Sequence, residues 1–498
     1  MSTTTPTAPS SHSATNPENA RIAEYDRPNL IKELAAIVGS EYVLSGAAEQ
    51  RVYDCDAYTV DKSTPGAVVL PQTTEQVSQI VKLCNRLNIP FIPRGAGTGL
   101  SGGTTAICGG VVISTMKLNQ ILEIDPVNRR IRAQAGCVNM RLSKATAEHG
   151  LHYAPDPSSQ GACTVGGNVA ENSGGPHTLK YGVTTNHIVA LTMVLPDGEI
   201  VHLGSETEDP VGYDLVGFVV GSEGTLGIVT EVVARLTPLP QSVRTLLAVF
   251  ETIDDCTQTV SAIIASGIMP AALEMIDQTI LLAIEEAFHF GFPQDAKAVL
   301  IIELDGIEAG LDEDTERVRQ ICMDEHAREV QVAKTAEDRA RLWIARKKGI
   351  GAAGRLAPSI VTQDGVIPRS KLPEVLREVQ AISEKYRIRI CNIFHAGDGN
   401  LHPCVLFDER DPDELQRVKE AGEEILQLCV RVGGSVTGEH GIGVEKINAM
   451  PWLFSETDMD VMRRLRAVFN QNELCNPGKV LPTSKTCVEV RWKPKVAW

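Results

Sequence analysis

Residues 93–103 read Pro-Arg-Gly-Ala-Gly-Thr-Gly-Leu-Ser-Gly-Gly, and no other stretch limits the fold so tightly. Five glycines in eleven residues rule out a helix or a strand interior. Glycine reaches φ > 0 without a Cβ clash and lets backbone approach a ligand closely. Successive free N–H groups in such a loop form an anion-binding concavity, and Arg94 adds a positive charge. The expected guest is a phosphate or pyrophosphate. A flexible linker would not be bracketed by the β-like runs Phe91-Ile92 and Val111-Val112-Ile113. The loop fits neither the Walker pattern nor a dinucleotide fingerprint opening a helix.

Ala67 to Leu70 reads as a strand, and Val77, Ile80, Val81, Cys84 and Leu87 have helical spacing after a Thr73–Gln76 capping pattern. With Phe91-Ile92-Pro93 this makes a βαβ unit that delivers the glycine loop at a strand end, where open α/β structures bind ligands. Two hairpins follow. One runs from Ile121 to Ala135, the other from Val189 to His202 with a two-residue turn expected at Asp197-Gly198. Between them lies a second glycine-rich stretch, residues 155–175, rich in uncharged Ser, Thr and Asn. A third, Gly221-Ser-Glu-Gly-Thr-Leu-Gly-Ile-Val-Thr230, ends in a β-like run. Three such segments in one block imply one extended ligand held by backbone.

These segments resemble the flavin domain of the vanillyl-alcohol oxidase and p-cresol methylhydroxylase family. The resemblance implies an α+β chain: a two-part FAD-binding domain of that type, then an α+β substrate (cap) domain with an antiparallel sheet. By it, Pro93, Arg94, Gly95, Ala96, Gly97, Thr98, Gly99, Leu100 and Ser101 would hold the FAD pyrophosphate. Pro157, Ser158, Thr164, Gly166, Gly167, Asn168, Asn172 and Gly174 would lie along the isoalloxazine, and Glu223, Gly224, Gly227, Ile228 and Val229 at the adenine end. Some relatives tether FAD through a histidine of the first loop. Residues 93–103 contain no His, Tyr or Cys, so non-covalent FAD is expected.

Thr237-Pro-Leu-Pro240 marks a boundary, after which strands such as 245–250 and 298–304 alternate with helical runs. The expected organisation is a disordered tail (1–20), a helical lead-in (21–61), an FAD-binding domain (62–240), a substrate domain (241–482) and a second tail (483–498). Trp343-Ile-Ala-Arg346-Lys347-Lys348 lies on a helix, where a solvated basic face and a functional one remain open readings. Further on, the strands Ile390–Phe394 and Leu401–Phe407 flank His395-Ala-Gly-Asp-Gly-Asn-Leu-His402. A hairpin there would bring two imidazoles within reach of one metal ion. A helix capped by Asp411 then leads to Gly438-Glu439-His440-Gly441, where Glu439 can complete a two-His, one-carboxylate site and His440 can act as a base.

This half resembles the substrate domain of the FAD-linked D-2-hydroxy acid dehydrogenases. The wording of Phe394–Asn400, Gly438–Gly443, Gly365–Arg369 and Asn476–Lys479 is nearest to the flavin-bearing D subunit of bacterial glycolate dehydrogenases. The resemblance implies that His395, His402 and Glu439 bind a divalent metal, zinc or manganese, and that His440 is the base. It implies that Arg346 and Arg369 face the substrate carboxylate and that Asn476 and Lys479 return to the flavin. Hydroxyglutarate enzymes carry Asn where Cys404 stands here, which argues against a second substrate carboxylate. The expected reaction is oxidation of a small 2-hydroxy acid, glycolate or D-lactate, to the 2-oxo acid by hydride transfer to FAD. The alternatives are a D-lactate or D-2-hydroxyglutarate dehydrogenase acting alone, an aromatic-alcohol oxidase, and a non-catalytic electron-relaying flavin subunit. An aromatic-alcohol oxidase would not need two arginines and a metal. A relay subunit would not need residues 395–440.

The 12 cysteines include no Cys-x-x-Cys, so an iron–sulfur cluster within the chain is not expected; most should be buried thiols. By the resemblance, a second flavin-type subunit and an iron–sulfur subunit are the expected partners. A net charge of −16 argues against nucleic acid. No run approaches the roughly 18 apolar residues of a membrane helix. The cytoplasm is the default location, with any membrane contact peripheral, at the inner face and through partners.

Overall fold

The computed structural model describes residues 26–207 and 211–482. The expected tails, 1–20 and 483–498, lie outside these residues. In the first half, four strands form one sheet in the order Val43–Leu44, Ala67–Val69, Val111–Ser114, Phe91–Arg94. The last three are parallel, as a βαβ connection requires. The crossover is the helix Thr74–Leu87. Thr73 caps it by accepting from the Gln76 N–H at 3.2 Å, and Asn88 ends it in the left-handed region at φ 55°. Val77, Ile80, Val81 and Cys84, one stripe of that helix, are fully buried.

A second sheet of five antiparallel strands contains both expected hairpins: Ile121–Asp125 with Arg130–Gln134, and Ile188–Val194 with Ile200–Gly204. The hairpins do not pair with each other. Ile228–Arg235, launched by the third glycine stretch, lies between them. The Asp197-Gly198 connection is longer than the expected two-residue turn. The Leu195 N–H donates to the Glu199 carbonyl, and the Gly198 N–H donates back to the Leu195 carbonyl, both at 2.8 Å. Pro196 favours the second position of that turn, and Gly198 at φ 92° takes its left-handed residue.

Beyond Thr237-Pro238 the chain builds a nine-stranded antiparallel sheet. Its main path runs Glu329–Val332, Ser242–Phe250, Ala298–Gly306, Ala272–Asp277, Arg389–His395, Asn400–Leu401 and Gly365–Val366. Ser359–Thr362 and Pro403–Phe407 pair alongside. Period-two alternation divides the central strands between two cores. Leu246, Ala248, Phe250, Leu300 and Ile302 pack against helices Ile253–Ala265, Glu308–Asp324 and Leu372–Tyr386. Leu247, Val249, Val299 and Ile301 pack against Gln278–Phe288 and Ala336–Ala353. Each buried aliphatic side chain contributes about 1.5–3 kcal/mol. A sheet covered on both faces holds its strand ends rigidly, and His395 is such an end.

The chain finally returns to where it began. The Phe91 N–H donates to the Leu474 carbonyl at 2.9 Å, and the Asn476 N–H donates to the Phe91 carbonyl at 2.8 Å. Residues 474–476 thus run beside the strand that carries the glycine loop.

Candidate functional site

The first glycine loop leaves Phe91–Arg94 and turns back on itself. Gly97 sits at φ 72°, and a Cβ there would strike Arg94 Nη2. The Arg94 guanidinium lies beneath the loop and is largely buried; its Nη1 donates to the Cys55 carbonyl at 2.8 Å and to Thr104 Oγ1 at 2.9 Å. The charge is therefore locked in place by Thr104, just past the loop's end, and by the backbone of the lead-in segment at Cys55. The second stretch folds into the short helix Val165–Glu171, with Thr164 accepting from the Gly167 N–H at 3.3 Å. A Cβ on Gly95 would meet Thr164 Oγ1, so these two segments touch through missing side chains. Gly224 of the third stretch, at φ 66°, lies against Pro93 in the same way.

Together the three glycine-rich stretches border one cleft that opens to solvent. Along them its wall is mostly glycine backbone and uncharged side chains, which lets an extended ligand lie close to main-chain N–H groups. Pro93 to Leu100, Pro157, Ser158, Thr164, Gly166, Gly167, Asn168, Glu223, Gly224, Gly227, Ile228 and Val229 all border it. Five expected cofactor residues lie behind this wall. The Ser101 carbonyl accepts from the Val444 N–H at 2.9 Å. Asn172 Oδ1 accepts from the Thr185 N–H at 2.9 Å, and the Gly174 N–H donates to Glu439 Oε2 at 3.2 Å. Asn476 Nδ2 donates to the carbonyls of Gly103 (3.0 Å) and Glu223 (2.8 Å), and Lys479 Nζ to that of Thr105 (2.6 Å). These contacts brace the loops from the far side.

The cleft continues without a break to Arg346, Thr362, His402, Glu439 and His440. His395 ends its strand and pairs with Asn400, so the short connection through 396–399 returns His402 to the same edge. The two rings meet edge-on at 5.2 Å between centroids, and His402 stacks on His440 at 4.9 Å. Glu439 Oε1 lies 3.2 Å from His395 Nε2 and 3.5 Å from His402 Nε2. One donor atom from each of His395, His402 and Glu439 falls within 4.8 Å of the others. His402 Nε2 is buried with no hydrogen-bond partner. Such an orphaned nitrogen in a His, His, carboxylate set suits a divalent cation.

Behind the set stands Glu274, fully buried. Its carboxylate pairs with His395 Nδ1 at 2.7 Å and Arg346 Nε at 2.6 Å. A carboxylate on Nδ1 directs the other ring nitrogen outward, as around protein-bound metals. Burial alone would lower His395, but Glu274 and then Glu439 raise it well above an ordinary imidazole. Burial likewise opposes the Glu439 anion, yet the His395 hydrogen bond brings its carboxyl down to about 2. Burial drives His440 down to about 4, with Asp364 opposing. His440 is therefore a neutral imidazole near pH 7, and its Nδ1 is buried without a partner.

Arg346 is placed on the cleft by the helix Ala336–Ala353 and is buried with Trp343, while Lys347 and Lys348 are exposed, so the solvated reading fits the two lysines and not Arg346. Arg369 is not on the cleft wall; its Nη1 donates to the Gly397 carbonyl at 2.9 Å. Glu274, Asp364 and the cleft residue Thr362 belong to the site without having been singled out in the sequence. Glu274 and Asp364 stand in or between strands as isolated acids, with no spacing to mark them.

Comparisons with known proteins agree with this geometry. Residues 65–204 match the model of an FAD binding domain and residues 239–480 that of the FAD linked oxidases, C-terminal domain. Glycolate oxidase subunit GlcD of Escherichia coli (strain K12) is 44% identical over 468 residues, 94% of each chain. Glycolate oxidase subunit GlcD of Bacillus subtilis (strain 168) is 42% identical over 90% of this chain and 96% of its own. Among solved structures, 4-ethylphenol oxidase from Gulosibacter chungangensis superposes with a TM-score of 0.77 at 19% identity, covering 92% of this chain and 98% of its own. At that identity the likeness shows the fold.

Proposed function

From its membership of the FAD-linked oxidases, the family to which this chain belongs, we propose that it oxidises a small 2-hydroxy acid, glycolate first and D-lactate second, to the 2-oxo acid. The observation that carries the reading is the continuity of one cleft from the glycine loops to Arg346, His402, Glu439 and His440. In this reading residues 62–240 hold the flavin and 241–482 the substrate. FAD, when bound, supplies the two-electron acceptor, and a divalent cation such as zinc or manganese supplies charge that acidifies an alcohol. His395, His402 and Glu439 would hold that cation. Arg346, with Nε tied to Glu274, turns its remaining N–H groups to the substrate carboxylate. His440, neutral and desolvated, takes the hydroxyl proton. Arg369 would act on this site only through Gly397, which it braces.

The FAD is held non-covalently in this proposal, since the first loop has no nucleophile. The relatives are named as subunits, and the chain has no cysteine spacing for an iron–sulfur cluster. Electrons would therefore leave through a second flavin-type subunit and an iron–sulfur subunit. Among the described residues no helix is long and apolar enough to cross a membrane. We place the complex in the cytoplasm, with any membrane contact at the inner face through partners. Co-purification from its own cells is the check: recovery of no cysteine-rich partner counts against the assembly.

The deciding experiment is anaerobic mixing of the purified yellow protein with glycolate, D-lactate, L-lactate and D-2-hydroxyglutarate, followed at the flavin absorbance. Glycolate should bleach it and D-2-hydroxyglutarate should not. Acid precipitation should leave the flavin in the supernatant. A flavin that no 2-hydroxy acid bleaches rejects the proposed reaction.

A further inference from the structure

Asp364 lies in the step between the strands Ser359–Thr362 and Gly365–Val366 and is fully buried. Five donors converge on its side chain. Oδ2 accepts from Thr437 Oγ1 at 2.6 Å, from the N–H of Gly438 at 3.0 Å and of His440 at 2.9 Å, and from Lys446 Nζ at 3.1 Å. The Glu439 N–H points between its two oxygens, 3.2 Å from Oδ1 and 3.3 Å from Oδ2. Lys446 is buried as deeply. The same carboxylate thus holds both ends of residues 437–446. The middle is held from the other half of the protein, where Glu223 accepts from the N–H of Ile442 at 2.7 Å and of Gly443 at 2.6 Å.

The flanking Gly438 and Gly441 N–H groups add bonds to the Asp364 carbonyl at 3.2 Å and to Thr437 Oγ1 at 3.0 Å. Glu439 and His440 sit inside this clamp, with their own N–H groups both on Asp364. They leave a turn rich in glycine, which by itself samples many conformations. A carboxylate that accepts several backbone N–H groups is a charge-assisted nest, and such bonds are the strong ones. Asp364 also lies 3.5 Å from His402 Nε2. Its Oδ2 is filled by the turn and by Lys446, which makes it an organiser of the site, while the carboxylate stays close enough to His402 and His440 for the three to form a second group of metal-holding spacing.

We propose that Asp364 is the positioning residue of the site: its carboxylate nests the 437–440 turn and thereby fixes Glu439 against His395 and His402 and His440 over the substrate. The inference rests on the proposed roles of those residues. The test compares wild type with Asp364→Asn and Lys446→Met. Flavin content, the Kd for Mn2+ by equilibrium dialysis, and kcat and KM with glycolate are measured for each. Asp364→Asn should keep its flavin, bind Mn2+ about 10- to 100-fold more weakly, and lose kcat with KM changing much less. Lys446→Met, which leaves the turn's N–H groups in place, should move the same quantities in the same direction by a smaller factor. A flavin-replete Asp364→Asn with wild-type Mn2+ affinity and kcat overturns the proposal. If that variant does not fold, an unaltered Lys446→Met does so. Wild type that binds no Mn2+ would count against the metal site instead, and the kcat comparison alone then decides the role of Asp364.

Discussion

Only part of the Arg346 guanidinium is available to a substrate, because its Nε is engaged by Glu274 at 2.6 Å. Lysine concentrates its three donors on one nitrogen and lacks the planar fork that meets two carboxylates in fixed, separate directions. Arg346→Lys should therefore raise KM for the 2-hydroxy acid by about 10- to 100-fold, the loss of a charge-assisted hydrogen bond of about 1.5–3 kcal/mol. Flavin content should be unchanged; steady-state kinetics and the visible spectrum check both. An unaltered KM would move the carboxylate site elsewhere. The sequence pointed to Arg346 as a cation on a helix but was silent about Glu274. In Ala-Leu-Glu-Met-Ile-Asp, residues 272–277, an acid in a β-like run reads as a solvent-facing residue. It is buried because a guanidinium and an imidazole, 72 and 121 residues further along, meet it there. One-dimensional spacing cannot show a partner so distant. Arg369, expected from the resemblance to face the substrate, donates from Nη1 to the Gly397 carbonyl, a contact that no spacing in the sequence announces.

Strands and helices were easier to read than partners. The βαβ unit, both hairpins and the antiparallel second sheet follow from apolar periodicity, which burial enforces locally. What periodicity could not reveal was the order of strands. Ile228–Arg235 inserts between two hairpins that precede it in the chain, so its neighbours are chosen by packing across the sheet. The same strand alternation sets the energetics of the cap. Leu300 lies at the centre of Ala298–Gly306, fully buried, paired with Ala248 on one side and Met275 on the other. Leu300→Ala should cost about 2–5 kcal/mol, read as a lower denaturant midpoint for loss of the cap's near-ultraviolet signal. A change below about 0.5 kcal/mol, the range of surface substitutions, would mean the two-core division is wrong.

The two halves are joined by charge as well as by chain. His177 of the first half pairs with Asp156 at 2.8 Å and with Glu303 of the cap sheet at 3.2 Å, and Trp343 Nε1 donates to the same Glu303 at 2.6 Å. Burial alone would lower His177, but Asp156 and Glu303 raise it to about 10, while Glu303 is held at about 2 with His177 and Arg339 overcoming its burial. For a histidine raised above its unfolded value, the stabilisation is complete below about pH 6.5 and disappears as pH rises through about 10. For Glu303 it is present above about pH 4.3 and disappears as pH falls through about 2. The Tm gap between wild type and His177→Gln should thus be widest near pH 5–6.5 and shrink steadily toward pH 10. A gap that does not change with pH would show that His177 contributes by packing alone. The return of residues 474–476 to Phe91 has a consequence for how the protein is made. A ribosome emits residues in order, at roughly 5–20 per second, so the strand holding the glycine loop waits tens of seconds for its last neighbour. Nascent chains would carry an unfinished flavin domain for most of their synthesis, and cofactor capture would fall after release. A chain stopped after Phe469 should accordingly leave the ribosome, and the purification column, colourless.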